Sequence, residues 1–128
     1  MSKGAISAAK VLIVDDEPSV RSMLKAVLES NHYKVTLAVS ASDARQKLAS
    51  DDFDAVLSDM RMETPRAGFD VVHAARLKSP QPAIILITAF PIRPDEMIAE
   101  RIDALLTKPV PIAQLFSTIE RLLAQRVG

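Results

Sequence analysis

Five short apolar runs, each stopped by polar residues and followed by an amphipathic stretch, constrain this chain more than any other feature. The runs are Val11-Leu12-Ile13-Val14, Val35–Val39, Ala55–Leu57, Ala83–Ile87 and Ala104–Leu106. The first and fourth are apolar almost throughout, which suits strands buried on both faces of a parallel sheet. Between them, Val20, Met23, Leu24, Val27 and Leu28 fall at i, i+3, i+4, i+7 and i+8, one face of a helix with Pro18 near its start. Ile112, Leu115, Phe116, Ile119 and Leu123 make a second such stripe. Ala44 and Leu48 predict a helix after Ser42, and Phe69, Val72 and Leu77 one after Gly68. Pro94–Ile102 carries the weakest helical pattern. Strict alternation of this kind implies parallel strands, right-handed crossovers and helices on both faces. The expected fold class is an α/β (βα)5 three-layer sandwich around a parallel five-stranded sheet.

The bulk properties narrow the function. At 128 residues the chain is one domain in size. The expected division is a flexible N-terminal tail, 1–9, and a folded domain, 10–126, with no output domain after the last helix. There is no cysteine, so disulfides and thiolate metal sites are excluded. Sixteen basic residues balance sixteen acidic ones, so no global attraction to nucleic acid or anionic membranes is expected. No apolar run approaches the ~18 residues of a membrane span. The expected location is the cytoplasm.

In an open parallel sheet, ligands bind beyond the carboxyl ends of the strands. The first strand ends in Asp15-Asp16, the third in Ser58-Asp59, the fourth in Thr88-Ala89 and the fifth in Thr107-Lys108-Pro109, while the second offers only Ser40. Three carboxylates, one hydroxyl and one ammonium are thus expected on one edge. Crowded carboxylates repel unless a cation holds them. An all-oxygen, highly negative donor set suits a hard cation, Mg²⁺ (or Mn²⁺) above all. Beside such a cation an aspartate can accept a phosphoryl group, with lysine and hydroxyl binding the phosphoryl oxygens.

The segments Val11-Leu12-Ile13-Val14-Asp15-Asp16-Glu17, Asp54-Ala55-Val56-Leu57-Ser58-Asp59-Met60-Arg61-Met62, Ile87-Thr88-Ala89 and Leu106-Thr107-Lys108-Pro109 resemble, in order and spacing, the receiver domain of two-component response regulators, a flavodoxin-like fold. The resemblance covers the chain from about Lys10 to the last helix and implies the strand order 2-1-3-4-5. It implies that Asp59 is the phospho-acceptor and that Asp16 and Asp59 ligate Mg²⁺ directly. Asp15 would help through water, and the backbone carbonyl of Arg61 would complete the protein ligands. Lys108 would pair with the phosphoryl group, Thr88 would swing in to hydrogen-bond it, and the Lys108–Pro109 peptide would be cis. The implied partners are a sensor histidine kinase or phosphotransfer protein and a downstream protein target, with a homodimer as a further option. Direct nucleic-acid or membrane binding is not implied.

Three places depart from the family pattern. Glu63-Thr64 stand where a proline usually follows Met62, and Gly68 arrives about one residue late. Leu105 occupies the position, three before Lys108, of a common aromatic switch residue. The stretch from Thr88 to Lys108 is about two residues short, and Pro91 and Pro94 crowd the fourth helix, which is expected to be short or distorted. Arg61 and Phe90, each two residues after a site residue, are expected to flank the path of attacking water and tune the phosphoryl lifetime.

The remaining polar residues read blandly. His32 and His73 show no acidic partner pattern and are expected at the surface. The methionines suit core or loop. Asp51-Asp52 suit a loop, and Lys25, Arg45, Lys47, Arg121 and Arg126 suit solvated faces. Two other functions fit the same fold. One is an adaptor that binds proteins without phosphorylation. The other is a flavodoxin-like cofactor binder, disfavoured by acidic residues where a phosphate-cradling loop should follow the first strand.

Overall fold

The computed structural model describes residues 8–90 and 92–127. Most of the expected tail and Pro91 lie outside the described residues, as does the side chain of Arg126. Five strands alternate with five helices: β1 (Lys10–Val14), α1 (Pro18–Glu29), β2 (Lys34–Ala38), α2 (Ala41–Ser50), β3 (Ala55–Asp59), α3 (Ala67–Arg76), β4 (Ala83–Thr88), α4 (Pro94–Ala99), β5 (Ala104–Thr107) and α5 (Ile112–Val127). All strand pairs are parallel, in the order β2-β1-β3-β4-β5. The fold is the expected one.

The period of two along each strand divides the core. Leu12, Val14, Val56, Ile84 and Leu86 pack with α2 and α3 on one face. Val11, Ile13, Leu57, Ile85 and Ile87 pack with α1 and α5 on the other. β3 and β4 are buried along their whole length. Each of Ile84, Ile85 and Leu86 contributes about 1.5–3 kcal/mol by leaving water. This rigid centre holds the two strand ends that carry Asp59 and Thr88.

Element ends depart from the sequence expectation for identifiable reasons. β2 stops at Ala38, the last residue in register with β1, and Val39 is exposed with its N–H donated to the Asp43 carboxylate at 3.0 Å. α2 begins at Ala41, before Ser42, because Ser40 caps it by accepting the Asp43 N–H at 3.0 Å. α3 begins at Ala67 and ends at Arg76, so Val71, Val72 and Ala75 form its buried stripe and Leu77 falls outside, exposed.

α4 is short, as expected, with six residues and none buried. It stops because Arg101 adopts φ 58°, letting the N–H groups of Arg101 and Ile102 bond back to Ile98 and Met97 at 3.1 and 3.2 Å. Ile102 is then buried beyond the helix. His32, at φ 72°, ends α1 in the same way, its N–H donated to Glu29 and that of Tyr33 to Leu28. Neither stop was visible in the sequence, since the usual glycine is absent. Ion pairs tie α4 to α3 and its leading loop: Arg66 with Glu96, and both His73 (2.6 Å) and Arg76 (3.6 Å) with Glu100. His73, exposed as expected, therefore has an acidic partner that only the fold supplies.

Gly68 sits at the start of α3 against the end of β3. A Cβ there would lie 2.8 Å from both the Asp59 carbonyl oxygen and the Met60 Cα. Alanine in a helix gains at most about 1 kcal/mol over glycine, whereas overpacking against unyielding backbone costs about 1–3 kcal/mol. Gly68→Ala is therefore expected to lower unfolding stability in urea by about 1–2 kcal/mol. Equal or greater stability would show that the backbone there can shift freely.

Candidate functional site

The parallel register brings four strand ends to one edge. Asp59 is the last residue of β3 and Thr88 the last of β4, while Asp15-Asp16 follow β1 and Lys108 follows β5. The Asp15 N–H still bonds the Ala38 carbonyl (3.2 Å), and the Lys108 N–H bonds the Thr88 carbonyl (2.9 Å). Both side chains therefore start from backbone held by the sheet. Asp15, Asp59 and Thr88 are buried, whereas Asp16 is exposed at the mouth.

A carboxylate oxygen from each of Asp15, Asp16 and Asp59 lies within 4.8 Å of the others. Lys108 Nζ donates to Asp59 Oδ2 at 3.1 Å. The Thr88 hydroxyl oxygen accepts the Phe90 N–H at 3.1 Å. Asp16, Asp59, Arg61, Thr88, Phe90 and Lys108 all line one cleft of about 300 Å³, which Glu17 and Ala89 complete. The convergence expected from the strand ends is therefore present. Ser40, the polar residue after β2, is not part of it and caps α2 instead.

Charge crowding shows in Asp15. Burial, with the nearby Asp59 and Asp16 carboxylates, pushes its carboxyl above the usual range. The Glu17 N–H, donated to Asp15 Oδ1 at 2.9 Å, and the charge of Lys108 pull the other way without winning. One ammonium does not satisfy three carboxylates. An all-oxygen set this close fits a small hard divalent cation.

The other expected residues are distributed around the cleft. The Arg61 guanidinium lies over the Phe90 ring, 4.9 Å from its centroid, so these two close one side together. Pro109 follows Lys108 through a cis peptide bond. Leu105 does not line the cleft. It is half-buried in β5, registers with Leu86 and packs on the α2–α3 face of the core. Glu17 was overlooked as a lining residue, although it closes the first acidic motif. Glu63 was read only as an interruption of the loop after β3. Its carboxylate accepts the N–H groups of Ala41 and Ser42 at 3.0 and 3.2 Å.

The response regulator receiver domain model matches residues 11–120. The chain belongs to that family. It is 33% identical to the response regulator protein PilR of Pseudomonas aeruginosa over 123 residues, 94% of this chain. Those residues span 27% of the relative's length. Among solved structures, this receiver superposes on the response regulator TrrA of Thermotoga maritima with a TM-score of 0.78 and 28% identity, covering 89% of this chain and 98% of that one. That protein was solved in complex with Mg²⁺–BeF. The receiver domain of the sensor histidine kinase PA1611 of Pseudomonas aeruginosa matches with a TM-score of 0.79 and 25% identity, over 91% and 98% of the two chains. That structure holds a magnesium ion coordinated in the active site cleft.

A carboxyl whose folded-state pKa is raised stabilises the fold fully only below its unfolded value, here 3.8. That contribution is lost as pH rises through the folded value. Ionised Asp15 therefore works against folding at neutral pH. In chelator-treated protein, Asp15→Asn is expected to raise Tm at pH 7, with the gain disappearing below about pH 4. A variant no more stable than the parent at pH 7 would refute this origin of the crowding.

Proposed function

We propose that this receiver is a phosphorylation-dependent signalling switch in which Asp59 accepts a phosphoryl group from a phosphohistidine. The observation that carries the reading is the three-carboxylate cluster with Lys108 already on Asp59. Asp16 and Asp59 would hold Mg²⁺ (or Mn²⁺) directly, Asp15 through water, and Arg61 through its backbone carbonyl. When bound, the cation neutralises the charge that otherwise keeps a carboxylate from approaching a phosphoryl donor. The magnesium held by the PA1611 receiver and the Mg²⁺–BeF held by TrrA support the same assignment here.

The chain's own residues divide the remaining work. Lys108 holds Asp59 Oδ2 and so orients the carboxylate for attack on phosphorus. An O–P bond forms as the N–P bond to histidine breaks, and the imidazole leaves. Lys108 and the Thr88 hydroxyl then bind phosphoryl oxygens. Thr88 donates its O–H to the phosphoryl group, and because its oxygen also accepts the Phe90 N–H, movement of Thr88 is passed to Phe90. Phe90 leads into α4, which has no fully buried residue and is held by Met97 on the core, the exposed Arg66–Glu96 ion pair and the His73–Glu100 hydrogen bond. Segments held this loosely are the least costly to move. Phosphorylation thereby biases a two-state surface around α4 and Leu105, read by a downstream protein. Leu105 takes the place of an aromatic switch residue, so its motion is a change of apolar packing and not the relocation of a hydroxyl.

The switching unit spans residues 10–126, and the phosphoryl donor is a sensor histidine kinase or phosphotransfer protein in the cytoplasm. Incubation with acetyl phosphate and Mg²⁺ is expected to add one phosphoryl group by intact mass. The gain should be absent in Asp59→Asn and without Mg²⁺. No gain, together with no spectral response to beryllofluoride, would favour a phosphorylation-independent adaptor. The Arg61–Phe90 stack covers the approach of water to the acyl phosphate. Phe90→Ala should accordingly lose its phosphoryl group several-fold faster, and an unchanged or slower hydrolysis rate would remove Phe90 from this role.

A further inference from the structure

The loop between β3 and α3 carries the Arg61 carbonyl. Its ends are fixed by backbone bonds: the Met60 N–H to Ile87 O at 3.2 Å and the Gly68 N–H to Met60 O at 2.8 Å. Its middle is tied elsewhere. Glu63 reaches back 22 residues in sequence to α2, its Oε1 accepting the Ala41 N–H and its Oε2 the Ser42 N–H. The first turn of a helix leaves its leading N–H groups without helical partners. Ser40 Oγ takes that of Asp43, and Glu63 takes the two before it. Two charge-assisted bonds at the positive end of a helix make a firm attachment for a loop whose residues from Glu63 to Arg66 are exposed and whose Met62 is a further anchor, half-buried against the core.

We propose that Glu63 is a positioning residue for the cation site, anchoring the loop to α2 so that the backbone of Arg61, a residue that lines the cleft, is held where its carbonyl could serve as a ligand. The inference rests on the metal reading given above. A carboxylate ligand is drawn to a cation by its charge over several ångströms. A neutral carbonyl is not, and it serves only if the backbone holds it in place. Mg²⁺ accepts little deviation from octahedral geometry at short distances. A loop free to drift would therefore cost this ligand first. The residues that look like an interruption of the motif, Glu63-Thr64, give the loop the reach to meet α2.

The test is Mg²⁺ titration followed by amide NMR shifts, on the parent, Glu63→Ala, Glu63→Gln and Ser40→Ala, with Asp16→Asn as a non-binding reference. Ser40→Ala removes a cap from the same helix but leaves the loop attached, so it separates helix stability from loop position. Glu63→Ala is expected to weaken Mg²⁺ by about tenfold, in the range seen when groups supporting a ligand are removed. Glu63→Gln keeps one acceptor oxygen and should fall between, while Ser40→Ala should bind as the parent does. Parent-like affinity in Glu63→Ala overturns the proposal, and so does equal weakening in Glu63→Ala and Ser40→Ala. A parent that shows no saturable shifts fails the underlying metal reading, and the proposal falls with it.

Discussion

Mutual repulsion among three carboxylates, held within 4.8 Å of one another, is the constraint around which the molecule is organised. Left in water, such groups would separate. They are kept together because Asp59 ends a strand buried along its whole length, and Asp15 still hydrogen-bonds into the sheet. Burial of the sheet's apolar residues outweighs the cost of holding these groups, and Asp15 shows that cost in a raised pKa, caused first by its own burial and then by the neighbouring Asp59 and Asp16. Lys108 offsets part of it through Asp59. The residual demand for positive charge is one that a small hard cation would meet.

The rest of the fold grades from rigid to loose around that edge. α2 and α3 bury apolar residues against one face, and α1 and α5 against the other. α4 has no fully buried residue, packs on the core through Met97, and carries the exposed Arg66–Glu96 ion pair, of small individual worth. It is the element that costs least to move, and β4 leads to it from Thr88. The loop after β3 lies between these regimes, with Glu63 on α2, Arg66 on Glu96 of α4, and Arg61 on Phe90.

Much of this was legible because it rests on local pattern. The unbroken apolar runs of β1 and β4 announced a parallel sheet, and parallel order placed Asp15, Asp16, Asp59, Thr88 and Lys108 on one edge. The errors came where long-range partners decide. Val39 reads as strand, but β2 has no neighbour to pair with past Ala38. Leu77 reads as core, but α3 starts one residue before Gly68 and turns it outward. His73 showed no acidic partner, and Glu100, 27 residues on, supplies one.

The sequence by itself determined the class of fold and the membership of the acidic cluster, while the strand order came through the family resemblance and is borne out by the structure. Periodicity of two against 3.6, and the handedness of parallel crossovers, leave few alternatives. Only the tertiary structure decided how the loop after Asp59 is held, what Leu105 packs against, and that Arg61 meets Phe90. Those contacts join residues far apart in the chain, through side chains whose directions follow from packing and not from spacing. Glu63 shows this most plainly. In the sequence it interrupts a motif, and in the fold its carboxylate closes the end of a helix 22 residues away.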